Sequence, residues 1–148
     1  MSDMHVKDTA QILENVREFS NRLSSLFVGR QEVIEDMVIA AIAQEPLLFI
    51  GPPGTGKSEL VTQFKKMLDL DQAQYFEYTL TKFTEPSEIL GPLDLKKMKT
   101  GEFYRRTHGK LPEASLAFLD EIFKSNSAIL NTLLTILNEK KFYQDGKP

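Results

Sequence analysis

The sequence predicts an α/β fold built on a mostly parallel β-sheet. Four apolar residues, Leu47–Ile50, lead without a break into a glycine-rich turn and a helix, which is the order strand, loop, helix. The runs Gln74–Leu80 and Ser115–Leu119 have the aromatic and apolar composition of two further strands. Because a helix joins the first strand to the second, we expect a right-handed βαβ unit in a parallel sheet.

The composition is that of a soluble globular protein about one domain long. The chain has 148 residues, of which 41% are hydrophobic and 26% are charged. Its formal net charge of -3 argues against a protein that coats nucleic acid. Cysteine is absent, which excludes disulfides and cysteine-ligated zinc. No apolar run approaches the ~20 residues of a membrane span and the N-terminus lacks a signal-peptide pattern, so we expect a cytoplasmic protein.

Two helices are predicted ahead of the first strand. Residues 1–8 are polar and are expected to form a flexible tail. Within the leading segment 9–44, apolar residues recur at helical spacing over 9–22 and again over 31–44. This pattern predicts two amphipathic helices, each with one buried face. Residues 47–148 then form the core that contains the three strands.

The first strand runs into a phosphate-binding loop. Four of its residues fit the pattern G-x-x-x-x-G-K-[ST]. A polyanionic phosphate chain needs many backbone N–H donors at short range, and these can crowd around it only where no Cβ intervenes. Lys57 would reach the terminal phosphates, and the Ser58 hydroxyl would coordinate Mg²⁺. The predicted nucleotide-binding residues of the loop are Gly51, Pro52, Pro53, Gly54, Thr55, Gly56, Lys57 and Ser58.

Two adjacent carboxylates follow the third strand. Asp120 and Glu121 come directly after Leu116–Leu119, at the end of the strand where open α/β sheets place their ligands. Asp120 would hold Mg²⁺ through its water shell, and Glu121 would act as general base on the lytic water. Alone, such a pair is more often an exposed helix start. Together with the phosphate loop, it predicts nucleotide hydrolysis.

A basic segment lies between the second and third strands. Over residues 96–110, six lysines and arginines stand against a single acid, Glu102, with Phe103 and Tyr104 among them. A basic run with interleaved aromatics can contact nucleic acid. The acidic charge of the whole chain favours instead a solvated or partner-facing hairpin that turns at Thr100–Gly101.

Further elements are expected around the three strands. A helix follows the phosphate loop, a short capped helix lies between Thr84 and Gly91, and an amphipathic helix covers 128–138. Residues 140–148 have the pattern of one strand and the turn of a hairpin whose return strand is missing. The sequence is therefore expected to end within an element.

These motifs together resemble the AAA+ ATPases, and within them the MoxR family and its branch called regulatory ATPase variant A. The general resemblance rests on the phosphate loop, on Leu-Asp-Glu-Ile after the third strand, on residues 26–30 and on residues 129–139. The narrower one rests on residues 83–93, 109–114 and 118–124. The resemblance implies a P-loop NTPase core of three α/β/α layers with ATP and Mg²⁺ as its ligands.

The resemblance also implies roles that the residues alone do not. Val28, Gly29 and Arg30 would lie beside the adenine. The family forms rings, usually hexamers, that remodel or activate other proteins, often beside a partner with a von Willebrand factor A domain. The basic segment would then face the ring or the protein substrate, and neither nucleic acid nor a membrane span is expected.

The sequence departs from the family pattern by what it lacks. The family's core sheet has five strands in the spatial order 5-1-4-3-2, and these residues supply the first three, so the core is expected to stop before its fourth strand. The γ-phosphate sensor, the arginine finger and the helical lid would lie beyond Pro148. Because an arginine finger contributes about 10³ to 10⁵ in rate, we expect feeble hydrolysis by this chain alone. Two alternatives stay open: a nucleotide-binding module without turnover, and a nucleic-acid-dependent motor that uses the basic segment.

Overall fold

The protein is described from a computed structural model, which covers residues 2–52 and 54–143. The chain divides into two compact units, one ending at Leu68 and the other beginning at Asp69. Each unit is described by itself. No helix in the described ranges combines the length and the apolar character that crossing a bilayer requires.

The first unit contains three helices. α1 spans Ser2–Ser24, α2 spans Gln31–Ala43 and α3 spans Lys57–Met67. α1 makes contacts with both of the other helices. It begins at Ser2 rather than at Thr9 and so includes residues that were expected to form a flexible tail. Since neither glycine nor proline occurs in that stretch, no residue there interrupts the helix.

Helical spacing identified part of the buried face of each helix, since Ile42 at the end of α2 and Leu68 after α3, both predicted for these faces, are 63% and 40% exposed. Phe19 of α1 packs edge-to-face on Phe64 of α3, with ring centroids 5.3 Å apart. Ile12 and Leu13, predicted for the same stripe, are exposed, since the described contact of α1 is made by its C-terminal half. The buried apolar residues of this unit are Leu23, Ile34, Met37, Val38, Leu60, Val61 and Phe64.

The predicted first strand is wrong for this structure. Leu47–Ile50 has no regular structure, and Leu48 and Ile50 are 54% and 80% exposed. A strand exists through hydrogen bonds to its neighbours. Among the described residues no strand pairs with this segment, because the two strands that are present, Tyr75–Thr79 and Leu116–Asp120, pair with each other. The expected βαβ unit and three-layer core are therefore not formed by the described residues.

The second unit contains a two-stranded parallel sheet, as predicted for the second and third strands. β1 spans Tyr75–Thr79 and β2 spans Leu116–Asp120. The register pairs the first residues of the two strands with each other, and the last residues likewise, so that Thr79 lies opposite Asp120. The Leu80 N–H donates to the Asp120 carbonyl at 2.9 Å and continues the ladder beyond β1. The mixture of helices with a small parallel sheet agrees with the predicted α/β class.

Helices and two 3-10 turns accompany this sheet. α4 spans Pro86–Leu90, α5 spans Leu95–Met98 and α6 spans Ser127–Glu139. The 3-10 turns cover Leu111–Glu113 and Ile122–Lys124. The sheet, α4 and α6 contribute to one apolar core. Its buried members are Phe76, Leu80, Ile89, Leu90, Ile129 and Leu133.

The start of α4 is fixed by a capping box, as the sequence predicted. The Glu88 carboxylate accepts a hydrogen bond from the Glu85 N–H at 2.7 Å, and the helix begins with Pro86. The Tyr78 hydroxyl of β1 donates to the same carboxylate at 2.5 Å. Acceptance of the Glu85 N–H, and then of the Tyr78 hydroxyl, lowers the pKa of Glu88 from its ordinary value. The short helix is thereby joined to β1.

Residues 92–110, called here the basic loop, form the predicted hairpin. The Asp94 N–H donates to the Tyr104 carbonyl at 2.7 Å, and the Arg106 N–H donates to the Pro92 carbonyl at 2.9 Å. The chain turns at Gly101, whose N–H donates to the Met98 carbonyl. The loop also contains α5, which the sequence analysis missed. Asp94 caps this helix, because its carboxylate accepts from the N–H groups of its second and third residues.

The strand and turn predicted for residues 140–148 lie mostly outside the described residues. Residues 144–148 lie outside the described residues, and 141–143 are not in a strand. α6 ends at Glu139, followed by Lys140 in the left-handed region.

The close approach of Gly91 to the Arg106 backbone can be tested by substitution. Its φ is +95°, and a Cβ there would lie 1.9 Å from the Arg106 carbonyl oxygen, so that the backbone would have to move. We expect Gly91→Ala to lower the free energy of unfolding, measured by urea denaturation, by on the order of 2 kcal/mol or more. Gly101→Ala is the matched control, since its φ is +86° but an added Cβ meets nothing within 4 Å. Equal destabilisation by both variants would contradict the close approach.

Candidate functional site

The glycines of the phosphate loop allow the sharp turn that the motif requires. Gly54 and Gly56 have φ values of +77° and +78°, a region that residues with a Cβ rarely adopt. Gly56 directly precedes α3, so the loop passes at once into the first turn of the helix. Gly51 and Thr55 belong to the same turn, and Pro53 lies outside the described residues. The described loop residues therefore form a tight turn directly before α3.

Lys57 bends back over the loop that precedes it. Its Nζ donates to the carbonyl oxygens of Gly51 at 3.1 Å and Pro52 at 2.9 Å. The Thr55 hydroxyl also donates to the Pro52 carbonyl, at 3.0 Å. The ammonium group is thus held inside the curve of the loop. Ser58, the predicted Mg²⁺ ligand, is exposed in the first turn of α3.

Arg30 is joined to the same loop from the segment ahead of α2. Its Nη2 donates to the Thr55 carbonyl at 2.8 Å, across 25 positions of sequence. Gly29 turns the chain there with a φ of +68°, and Val28 is fully exposed. Of the three residues that were predicted to lie beside the adenine, the structure therefore brings Arg30 to the phosphate loop. This contact was missed because no local pattern signals it.

Asp120 and Glu121 lie at the carboxyl end of β2, as the sequence predicted. Asp120 is the last residue of the strand and is partly buried. Glu121 adopts a left-handed conformation, with φ 57° and ψ 39°, and its N–H donates to the Asp120 Oδ1 at 2.8 Å. A left-handed conformation is uncommon for a residue with a long side chain. It turns the chain sharply out of the strand directly after Asp120.

Lys124 is a neighbour of Glu121 that the sequence analysis missed. Its Nζ lies 3.1 Å from the Glu121 Oε1, and both side chains are largely accessible to solvent. The signal was present, because a spacing of three residues brings side chains together over one turn. The resulting contact is a solvent-exposed ion pair beside the predicted general base.

Asn126 connects the loop after β1 with the start of α6. Its Nδ2 donates to the Thr84 carbonyl at 2.8 Å and to the Lys82 carbonyl at 3.2 Å. Its Oδ1 caps α6 by accepting from the Ile129 N–H at 3.0 Å. One amide side chain thus ties together the loops that follow both strands.

The predicted metal ligands carry oxygen donors, which Mg²⁺ prefers. The described residues contain no group of three or more histidine or carboxylate side chains that could hold a metal alone. Magnesium is usually bound by one or two protein oxygens together with phosphate oxygens and water. The hydroxyl of Ser58 and the carboxylate of Asp120 are oxygen donors of that type. The two residues belong to different compact units, 1–68 and 69–148, and each is placed within its own.

Comparison with known families identifies the domain. A family model described as the MoxR domain in the MoxR-vWA-beta-propeller ternary systems matches residues 14–147. The match includes the phosphate loop and the two carboxylates after β2.

Relatives of the chain occur in archaea, viruses and bacteria. Two uncharacterised proteins of Methanocaldococcus jannaschii are 39% and 43% identical to it, over 93% and 91% of this chain. A structural protein of Acidianus two-tailed virus is 35% identical over 86% of the chain and 21% of its own length. More distantly, the ATP-binding subunit ClpL of the ATP-dependent Clp protease of Staphylococcus aureus is 27% identical, over 86% of the chain and 20% of the subunit. The chain spans about a third of the length of the two Methanocaldococcus relatives, 36% and 35%.

The Arg30 contact predicts a measurable change in the phosphate loop. Removing the guanidinium in Arg30→Ala frees the Thr55 carbonyl, so we expect the amides of residues 54–56 to exchange with solvent several-fold faster. Hydrogen exchange followed by mass spectrometry would measure this. Arg22→Ala is the control, since Arg22 is an exposed arginine in the last turn of α1. Unchanged exchange in Arg30→Ala would show that the bond does not order the loop.

Proposed function

Since the chain belongs to the MoxR domain family of AAA+ ATPases, we propose that it binds ATP with Mg²⁺ and that the complete protein hydrolyses ATP. The observation that carries this proposal is the geometry of the phosphate loop. Two left-handed glycines bend the backbone, and Lys57 lies inside the curve, 2.9 Å from the Pro52 carbonyl. This arrangement holds the Lys57 ammonium group against a loop whose residue spacing matches the phosphate-binding pattern.

In this proposal, the terminal phosphates displace the backbone carbonyls from Lys57. A phosphate oxygen carries a full negative charge, whereas the carbonyls of Gly51 and Pro52 carry only partial charges. The ammonium group would therefore move to the phosphate with little loss of hydrogen bonding. The N-terminus of α3 adds its N–H groups and the positive end of its dipole. Arg30 would support the loop by holding Thr55, rather than by contacting the adenine through its guanidinium.

Asp120 and Glu121 are proposed to complete the site. Ser58 and Asp120 would hold Mg²⁺, which offsets the charge of the phosphates when it is bound. Glu121 would accept a proton from the attacking water. Lys124, 3.1 Å away, would pair with the Glu121 carboxylate until the water is bound.

We infer the partners of the whole protein from the family to which the chain belongs. The name of the matched family refers to systems of MoxR, vWA and β-propeller components. We infer a partner that carries a von Willebrand factor A domain, a ring of identical subunits, usually six, and the remodelling of a protein substrate. A cytoplasmic location and membership of the regulatory ATPase variant A branch belong to the same proposal.

A nucleotide-binding module without turnover is the second candidate. It is favoured by the Glu121–Lys124 ion pair, in which one carboxylate oxygen of the proposed base already lies 3.1 Å from the lysine nitrogen. A nucleic-acid-dependent motor is disfavoured by the net charge of -3.

Lys57→Ala tests nucleotide binding directly. Removal of the ammonium group takes away the one side-chain cation within the loop, so we expect ATP affinity to fall at least about tenfold. Isothermal titration calorimetry with ATP and Mg²⁺ would measure this. Lys66→Ala is the matched control, because Lys66 is an exposed lysine near the other end of α3. Equal affinities of both variants and the parent would refute the phosphate-loop assignment.

Glu121→Gln separates binding from turnover in the complete protein. We expect ATP affinity to stay within about twofold and phosphate release to fall by about 10² to 10⁴, since the amide cannot accept the proton. Glu102→Gln removes an exposed carboxylate of the basic loop and should change neither quantity. If the complete parent protein binds ATP but releases no phosphate, the module without turnover is the correct function. If Glu121→Gln turns over at the parental rate, Glu121 is not the base.

A further inference from the structure

Five of the six lysines and arginines of the basic loop fall into two sets, and the sixth, Lys97, lies over the Tyr104 ring. The side chains of the first set form hydrogen bonds or an ion pair with other residues of the second unit. The Arg105 Nη1 donates to the Gly91 carbonyl at 2.9 Å, and the Lys110 Nζ donates to the Glu88 carbonyl at 3.0 Å. Arg106 forms an ion pair with Asp94 at 3.1 Å. These three cations are therefore used to hold the loop.

The second set lies at the tip of the loop, defined here as residues 95–103. Lys96 and Lys99 are exposed there, in and directly after α5. Three apolar side chains accompany them at the surface: Leu95 is 66% exposed, Met98 43% and Phe103 61%. Exposed apolar side chains among cations are typical of a surface that receives a partner.

The tip is held in shape before any partner arrives. The Glu102 N–H and the Thr100 N–H both donate to the Lys97 carbonyl, at 3.1 and 3.0 Å. The Asp94 carboxylate accepts from the Lys96 N–H at 2.9 Å and caps α5. A preformed surface loses less conformational entropy on binding than a loop that must first be ordered.

We propose that this tip binds an acidic segment of a partner protein in which carboxylates alternate with apolar side chains. Carboxylates would pair with Lys96 and Lys99, and the apolar side chains would cover Leu95, Met98 and Phe103. The charge of the tip complements such a segment, which also buries the apolar surface. This inference does not depend on ATP hydrolysis, since the tip shares no residue with the proposed site.

The same surface is poorly suited to single-stranded nucleic acid. Binding of that kind relies on aromatic rings that are open to stacking bases. The Tyr104 ring carries the Lys97 ammonium 3.6 Å from its centroid, so that this face is already covered. Leu95 and Met98 offer no stacking plane, which leaves Phe103 as the single ring of the tip that is open to a base. An acidic peptide is therefore the occupant that the side chains favour.

Fluorescence anisotropy with labelled probes tests the proposal. The probe is a synthetic peptide in which glutamate alternates with leucine and phenylalanine. A second peptide has serine in place of the apolar residues, and oligodeoxythymidine is the polyanion without carboxylates. We expect the first peptide to bind tightest, and Lys96→Gln with Lys99→Gln to weaken it about fivefold or more at low salt. Phe103→Ser should weaken it without changing the charge.

The double variant Lys140→Gln with Lys141→Gln is the matched control, since it removes two exposed lysines after α6. It should change the affinity less than about twofold. Circular dichroism would confirm that each variant folds. The proposal is overturned if the parent chain binds no peptide, if the serine peptide binds equally well, if oligodeoxythymidine binds tighter, or if the control and tip variants weaken binding equally.

Discussion

The parallel pairing of β1 with β2 is the constraint on which the second unit depends. It sets Thr79 opposite Asp120 and brings the two following loops to the same edge of the sheet. Asn126 then joins those loops through its amide, and the core of α4 and α6 residues packs around Phe76 and Leu80 of the first strand and its extension. Without this register, neither the carboxylate pair nor the start of α6 would have its present position.

The elements that were predicted well are those whose signals are local. The capping box at Glu85 and Glu88, and the helical spacing of α2, are contained within a few residues. Leu47–Ile50 has an equally clear apolar pattern but forms no strand, because strand formation depends on neighbours that its own residues cannot supply. The apolar pattern of a segment indicates that it can be buried, but the other segments decide whether it is paired.

The candidate site shows the same division between local and distant information. The loop turn at Gly54 and Gly56 could be predicted, since glycine is favoured where φ is positive. The left-handed conformation of Glu121 could not, because glutamate has no preference for it. The bond from Arg30 to Thr55 spans 25 positions and has no sequence signature. The pairing of Lys124 with Glu121 could have been predicted from the spacing of three residues between them.

The separation of anchoring and surface residues in the basic loop has a consequence for evolution. Arg105, Arg106 and Lys110 maintain the shape of the loop, whereas Lys96 and Phe103 are exposed at its tip. Substitutions at the tip therefore change the charge or the apolar character presented to a partner without breaking the bonds that hold the loop. A lineage that keeps the anchors can acquire new partners through a few exposed positions, with the fold of the second unit unchanged.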